Sequence, residues 1–117
     1  MRKDETMPEG KWKFDGEVTD AFDNMLERSI PQYDVMRQAA TDMAFCFVRP
    51  RSNVIDIGCS RGEALALMMQ ETKGIIPNVG YYGIEMSSPM LKAASDRFKD
   101  DNSVCILDHD LRKGLPV

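Results

Sequence analysis

The run Val-Ile-Asp-Ile-Gly-Cys-Ser-Arg-Gly at 54–62 is where the residue types and their spacing could do chemistry. Its last five residues, 58–62, match the G-x-S-x-G pattern of a nucleophile elbow, which would make Ser60 a catalytic nucleophile. The same residues also match a loosened glycine-rich turn between a strand and a helix, a turn that holds a nucleotide-like ligand. In that second interpretation Ser60 contributes only its backbone.

The elbow interpretation requires an acid and then a histidine later in the chain. His109 is the only histidine, and the nearest acid, Asp108, is its neighbour in sequence rather than a residue on a strand end of its own. Only predicted helices precede the strand at 53–57, whereas the elbow strand of such hydrolases lies deep in a sheet, with several strands before it. The sequence therefore favours the ligand-binding turn.

Several residues fit that turn together. Gly58 and Gly62 permit a tight bend and a close approach of the ligand and of the next helix, whose positive N-terminus points toward the ligand. Glu85 ends the following strand about 20 residues after Gly62, the spacing at which an acidic residue binds ribose hydroxyls. The full G-x-G-x-x-G pattern is absent, because Cys59 and Ser60 stand where a second glycine would admit a pyrophosphate. This favours a ligand without a diphosphate.

Hydrophobic periodicity predicts the elements that position these residues. Two helices come first, one from residue 18 to Pro31 and one from about 34 to 47, whose apolar stripe consists of Val35, Ala39, Met43 and Phe47. Strands then alternate with helices, with strands predicted at 53–57, 80–85 and 103–107 and helices at 63–72, closed by Gly74, and from Ser87 or Ser88 to about Phe98. This alternation predicts an α/β fold with a parallel sheet and right-handed crossovers, which is half of a doubly wound nucleotide-binding fold.

The predicted elements divide the chain into three parts. We expect an N-terminal arm at 1–16 with Trp12 and Phe14 as its large side chains, a helical segment at 17–48, and a β-α-β-α-β half-domain at 49–117. At 117 residues, 43% hydrophobic and 29% charged, the chain is typical of one globular domain at most.

Charge and cysteine content exclude some classes of function. The net charge of -4 argues against tight nucleic-acid binding by this chain alone, because binding to phosphates needs a basic face. The three cysteines include no C-x-x-C, so they indicate neither a disulfide framework nor a zinc site and favour reduced, cytoplasmic thiols. The start lacks the apolar run of a signal peptide and no apolar run is long enough to span a bilayer, so we expect no membrane partner.

The stretch D-x-G-x-x-x-G formed by Asp56, Gly58 and Gly62 resembles the first motif of the class I S-adenosylmethionine-dependent methyltransferases. The resemblance implies a Rossmann-like fold, of which this chain has three strands in the order 3-2-1, and S-adenosyl-L-methionine or S-adenosyl-L-homocysteine as the cofactor. It implies cofactor-binding roles for Tyr33, Asp56, Gly58, Cys59, Ser60, Gly62, Glu85, Met86, Asp110 and Leu111. In this family, the acid matching Glu85 holds the ribose hydroxyls and the acid matching Asp110 takes the adenine amino group. The backbone N–H at the position of Leu111 meets an adenine ring nitrogen.

Simpler roles stay open for five of these residues. Glu85 could be a solvated strand end, and Cys59 could be a small spacer in the turn. Asp56 could cap the loop by accepting hydrogen bonds from backbone N–H groups. Asp110 could be a turn residue, since aspartate is common in turns. Tyr33 could serve packing alone, with its hydroxyl at the surface.

The stretch at 14–33 and the motif I-D-I-G-C-S-R-G-E-A-L at 55–65 are similar to one branch of that superfamily, the carboxy-S-adenosylmethionine synthases, which act in making a modified wobble uridine in tRNA. In that branch the tyrosine matching Tyr33 contacts the methionine end of the ligand. This chain departs from the branch where Arg61 replaces an apolar residue and where Glu85 and Met86 replace an Asp-Asn pair. The branch also holds an extra carboxylate with an arginine from a C-terminal half that has no counterpart here.

By resemblance, a complete fold has about four more strands beyond the strand at 53–57, so this apolar strand is predicted to be an edge that invites pairing with another chain. We expect self-association through residues 53–57, most simply as a homodimer, or a second chain that completes the fold. The predicted function is that of an S-adenosylmethionine-dependent methyltransferase in tRNA modification. The alternatives are a carboxy-S-adenosylmethionine synthase-like enzyme and a non-catalytic module that binds the cofactor or serves assembly. No catalytic base is assigned, because the sulfonium is already activated and positioning does most of the work.

Overall fold

The computed structural model of the protein describes residues 16–116, in which two helices precede an open sheet. The helices are α1 (Gly16–Ser29) and α2 (Tyr33–Phe45). The alternating part that follows consists of β1 (Asn53–Ile57), α3 (Glu63–Thr72), β2 (Gly80–Glu85), α4 (Ser88–Arg97), β3 (Val104–Asp108) and a 3-10 helix (Leu111–Lys113). Apart from Gly16, the predicted arm at 1–16, with Trp12 and Phe14, lies outside the described residues.

The three strands run parallel in the order β1-β2-β3, which confirms the predicted sheet and its strand order. Val54 lies opposite Tyr81 and Tyr81 opposite Val104, so one row of side chains crosses the same face of all three strands. At the carboxyl end of the sheet Glu85 lies opposite Asp108. In the part of the chain that the structure describes, β1 pairs with β2 alone and its other edge is open.

The core lies between α3 and one face of the sheet. Leu65 and Met69 of α3 pack with Val79 and Tyr81, and Leu65 is fully buried. The Tyr81 hydroxyl hydrogen-bonds with that of Thr72, which satisfies two buried polar groups in an apolar setting. Gly74 follows α3 with a φ of 82°, the left-handed conformation expected for a glycine that ends a helix.

The second helix differs from its prediction. It ends at Phe45 rather than at 47, where the Cys46 N–H turns back onto the carbonyls of Met43 and Ala44. The predicted apolar stripe is exposed, with Val35, Met43 and Phe47 at 64%, 70% and 79% exposure and Ala39 also exposed. The helix packs instead through the side that holds buried Thr41 and half-buried Gln38, whose amide donates to Glu71 of α3 at 3.1 Å.

The second face of the sheet is apolar and largely open. It bears a cavity of about 220 Å³ whose lining comes from strands and from the segment at 114–116, with none from a helix: Asn53, Ile55, Ile57, Tyr82, Ile84, Leu107, Leu115 and Pro116. Ile55 and Ile57 of the edge strand are 44% and 56% exposed. Across residues 16–116 the helices are too short or too polar to cross a bilayer.

Gly62, the residue before α3, provides a test of how closely the start of this helix packs against Phe98. It is buried with a φ of 87°, and a Cβ placed there would lie 2.6 Å from Cε2 of Phe98. Gly74 has a similar φ of 82° but open space around it. We expect Gly74→Ala to lower the free energy of unfolding by about 1 kcal/mol through φ alone, and Gly62→Ala to lose roughly 1–3 kcal/mol more through overpacking. Urea unfolding of the two variants measures both costs, and equal costs would contradict the close Gly62–Phe98 packing.

Candidate functional site

The turn at 58–62 is held against the neighbouring strand by its own backbone. The N–H groups of Gly58 and Cys59 both donate to the carbonyl oxygen of Ile84, at 2.8 and 3.0 Å, and the Gly62 N–H donates to the Cys59 carbonyl oxygen at 2.8 Å. Gly58, Ser60 and Gly62 have φ values of 71°, 53° and 87°. Two of these positions suit glycine, whereas Ser60 adopts a conformation that is uncommon for a residue with a side chain.

Ser60 does not sit in a catalytic triad. Its Oγ is 3.5 Å from the Gly58 carbonyl oxygen. The ring Nε2 of His109 is 2.6 Å from the carbonyl oxygen of Gly114, so the histidine is engaged elsewhere. Among the described residues no base contacts the serine hydroxyl, and the structure supports the ligand-binding turn over the nucleophile elbow.

Glu85 joins two loops through its carboxylate. Its Oε1 accepts from the Ser60 N–H at 2.9 Å, and its Oε2 accepts from the N–H groups of Met86 and Ser87 at 2.9 and 3.0 Å. An ionised carboxylate has about four acceptor positions, so this bonding uses three and leaves one toward a ligand. Sequence reasoning gave Glu85 a role either in ligand binding or as a solvated strand end. It missed the role of Glu85 in holding the two loops together. An acid that ends a strand beside a turn with unbonded N–H groups is a signal that could have predicted this role.

Asp56 lies beside the turn without the loop-capping bonds that the sequence left open for it. It is half-buried, and no hydrogen bond to its carboxylate is found between described residues. Burial raises the pKa of the Asp56 carboxyl above its usual range, and the nearby charge of Glu85 raises it further. The backbone amides that Asp56 would have capped are bound by Glu85 and Ile84 instead.

Cys59 is a packed spacer. It is 4% exposed, and its Sγ lies 2.7 Å from the point where a Cβ on Gly83 would stand, so the strand position opposite the thiol has room only for glycine. Burial, together with the charges of Asp56 and Glu85, raises the pKa of the Cys59 thiol to about 12. A thiol that remains protonated at neutral pH is a poor nucleophile.

A cleft of about 410 Å³ opens at the carboxyl ends of the strands, a volume within the usual range for small-molecule sites. It brings together five of the predicted residues, Gly58, Glu85, Met86, Asp110 and Leu111, together with Ile84, His109 and Arg112. The Asp110 carboxylate is bound by the Arg112 side chain, with Nε at 2.9 and 3.0 Å and Nη2 at 2.6 Å. That hydrogen bonding to Arg112, side chain first and then backbone, lowers the pKa of Asp110 to about 2.

A smaller cavity, of about 100 Å³, lies between the turn and the first two helices. The predicted residues Tyr33, Asp56, Gly58, Cys59 and Ser60 line it, together with Phe22, Leu26, Arg37, Arg61, Glu63 and Ala64. The Arg37 guanidinium carbon lies 4.6 Å from the centre of the Tyr33 ring, a cation–π distance. Gly58 lines both cavities and a Cβ there would meet nothing within 4 Å, so the cleft and the small cavity adjoin at this glycine. Gly62 lines neither and packs on Phe98.

The geometry is that of a known class of protein. No protein-family model matches the chain. A putative S-adenosyl-L-methionine-dependent methyltransferase from Methanococcus maripaludis superposes with a TM-score of 0.61 at 20% identity, covering 95% of this chain and 48% of that one. The putative methyltransferase solved in complex with the Haloferax volcanii Trm112 methyltransferase activator gives a TM-score of 0.60 at 23% identity, covering 92% of this chain and 42% of that one. The fold is therefore the N-terminal half of the class I methyltransferase fold.

Sequence similarity points to one branch of that class. The carboxy-S-adenosyl-L-methionine synthase of Actinobacillus succinogenes is 36% identical over 106 residues, which are 88% of this chain and 43% of that protein. The synthase of Trichodesmium erythraeum is 36% identical over 99 residues, 81% of this chain and 38% of that protein. The resemblance to the carboxy-S-adenosylmethionine synthases is confirmed. The chain spans less than half the length of these relatives.

Asp56→Asn tests the electrostatics of the turn. The pKa of Asp56 is raised by folding, so the protonated form favours the fold below the usual value of 3.8, and this contribution is lost as pH rises through the raised pKa. We therefore expect Asp56→Asn to unfold at higher urea concentration than the parent protein at pH 7.5, with a smaller difference at pH 4.

The matched control for this test is Asp96→Asn. The hydrogen bond and charge of Lys92 lower the pKa of Asp96 on the exposed face of α4, so its ionised form favours the fold above the usual value. Removing that charge should cost a little stability at pH 7.5 or none. An Asp56→Asn variant no more stable than the parent protein at pH 7.5 would contradict the electrostatic account of Asp56.

Proposed function

We propose that the protein binds S-adenosyl-L-methionine or S-adenosyl-L-homocysteine and is the cofactor-binding half of an S-adenosylmethionine-dependent transferase. The observation that carries this proposal is the pair of adjoining cavities that meet at Gly58. The cleft with acids at two neighbouring strand ends suits an adenosine, and the small cavity with Tyr33 suits an amino-acid end. The turn provides no second glycine for a diphosphate, so the two-part ligand is one without phosphates.

The cleft residues fit an adenosine group by group. Glu85 retains one acceptor position for a ribose hydroxyl, at the loop that it also holds in place. Met86 and Leu111 expose apolar side chains at the cleft, 57% and 36% exposed, where a flat base can pack. The adenine amino group would replace Arg112 at the Asp110 carboxylate, an exchange favoured by the Arg112 side chain, which is 82% exposed.

The transfer of the methyl group requires no acid–base chemistry from this chain. When bound, S-adenosylmethionine supplies a methyl group that its sulfonium already activates. The work left to the protein is to hold the cofactor in place and to exclude water from it, which needs no general base. The residues that orient the acceptor would come from outside the two cavities.

The names of the relatives favour a second candidate, a carboxy-S-adenosylmethionine synthase-like enzyme. In either case we place the activity in tRNA modification in the cytoplasm, with the basic surface for RNA supplied by another part of the assembly, since this chain has a net charge of -4.

The mass of ligand that copurifies with the protein, read by native mass spectrometry, distinguishes a carboxylated cofactor from the ordinary one. A non-catalytic binding module would bind either ligand and show no turnover with a labelled methyl donor.

We also propose that the protein self-associates as a homodimer through β1. The strand has one open edge, and its exposed Ile55 and Ile57 continue the apolar second face. A groove of about 220 Å³ between β1, α2 and α3 lies beside this edge and is lined by Ile55 of β1 and by Ala40 and Ala44 of α2. Pairing of two β1 edges would bury these surfaces together in one symmetric contact. The alternative is a second chain, as for the structural neighbour solved in complex with an activator protein.

Binding is tested by thermal unfolding with S-adenosyl-L-homocysteine. At a ligand concentration 100 times the dissociation constant, a single site adds about 2.7 kcal/mol, which raises Tm by on the order of 10 °C for a domain of this size. Asp110→Asn should weaken binding roughly tenfold, because a charged acceptor for the adenine amino group is lost. Asp96→Asn, which removes a charge from exposed α4, is the control and should bind as the parent does. No shift for the parent protein would refute the proposal.

Self-association is tested by native mass spectrometry and light scattering. We expect the parent protein to be dimeric at micromolar concentration and Ile55→Lys to be monomeric, because a lysine on the edge strand opposes pairing. Ile75→Lys changes an isoleucine that is 70% exposed in the α3–β2 loop, and it should leave the dimer intact. A parent protein that stays a monodisperse monomer at high concentration would rule the homodimer out.

A further inference from the structure

The guanidinium of Arg61 is only partly satisfied. Its Nη1 donates to the carbonyl oxygen of Thr19 in α1 at 3.2 Å. Its Nε is buried, and between the described residues it has no hydrogen-bond acceptor. A buried donor on a charged group without a partner is rare and unfavourable, so its retention calls for a reason.

The small cavity that Arg61 lines contains a second arginine. Arg37 lines it as a second guanidinium, stacked on Tyr33. Of the two acids there, Glu63 forms an ion pair with Arg97 of α4. The other, Asp56, is half-buried beside Glu85, a setting that raises its pKa and favours the neutral form. With Glu63 paired to Arg97, the two guanidinium groups that line the cavity can attract an anionic group of the ligand.

The shape of the free edge identifies the anion. With Nη1 bound to Thr19, the side of the guanidinium that carries Nε and Nη2 is left, and its two parallel N–H groups match the two oxygens of a carboxylate. We propose that Arg61 is the specificity-determining residue of this cavity and binds the carboxylate at the amino-acid end of the S-adenosyl ligand. This inference rests on the proposed function and adds to it the residue that recognises that end.

Binding at Arg61 is coupled to α1. Because Nε has no contact with solvent in the structure, the side chain must turn, or α1 must shift, for the carboxylate to reach it. Thr19, which takes Nη1, is 2% exposed near the start of that helix. The same guanidinium therefore links the ligand, the turn and the helix that roofs the cavity.

The competing explanation is that Arg61 only fixes α1 to the turn. The two roles differ in one readout, the preference for a carboxylated ligand over an otherwise identical ligand without the carboxylate. We would titrate S-adenosyl-L-homocysteine and its decarboxylated analogue into the full chain by calorimetry. The variants are Arg61→Met, Arg61→Lys and, as the matched control on an exposed turn, Arg49→Met.

We expect the parent protein and Arg49→Met to bind the carboxylated ligand roughly 10- to 100-fold more tightly, the usual effect of a charge-assisted bidentate pair. Arg61→Met should lose most of that preference through weaker binding of the carboxylated ligand alone. Arg61→Lys keeps the charge without the planar fork and should retain part of the preference, which also covers the case in which the methionine variant fails to fold. An unchanged preference in both Arg61 variants, or an equal loss of affinity for both ligands, would overturn the inference. Absence of binding of either ligand to the parent protein would instead refute the proposed function on which it rests.

Discussion

The carboxylate of Glu85 is the interaction on which the site depends, because it holds together the two loops that form the site. Its oxygens accept hydrogen bonds from the N–H group of Ser60 on one loop and from those of Met86 and Ser87 on the other. Buried carboxylates are stable when backbone donors surround them. The same charge acts on its neighbours, since it contributes to the raised pKa values of Asp56 and Cys59. One side chain thus fixes the position of the turn and adds to the effect of burial on the pKa values of two residues in it.

The asymmetry of the sheet follows from how its strands are connected. Right-handed crossovers that proceed in one direction along a sheet place their helices on the same face, and here α3 and α4 both do so. The covered face has the core around Tyr81, while Ile55 and Ile57 on the opposite face keep 44% and 56% of their surface exposed. In a doubly wound fold, strands on the far side of β1 bring the helices for this second face. The open edge of β1 and the open second face therefore belong together, since the described residues provide helices for one face of the sheet alone.

Local sequence signals predicted the elements of the sheet well. The first two strands, at 53–57 and 80–85, have the predicted bounds because each is a short apolar run next to glycine or turn residues, and β3 is displaced by a single residue. The same signals could not predict the exposure of Val35, Met43 and Phe47, since periodicity identifies an apolar face but not whether anything covers it. The convergence of Glu85 and Asp110 was predictable because parallel strands end at one edge. The bonding of Glu85 to two loops was not, because it depends on loop geometry that spacing leaves undefined.

The departures from ordinary folding rules are concentrated at one place in the chain. Ser60 has a φ of 53°, Asp56 is a half-buried acid without a hydrogen bond between described residues, and Arg61 has a buried Nε without an acceptor. Each of these features lowers the stability of the fold. Because all three occur within six consecutive positions, they point to a common cause. Among the described residues the other buried side-chain polar groups are paired, as in the hydroxyl contact of Thr72 with Tyr81. Under the proposed function, a ligand would provide what these residues lack, an acceptor for Arg61 and a polar group for Asp56. The strain in the turn is thus a physical argument for that proposal, separate from any sequence similarity.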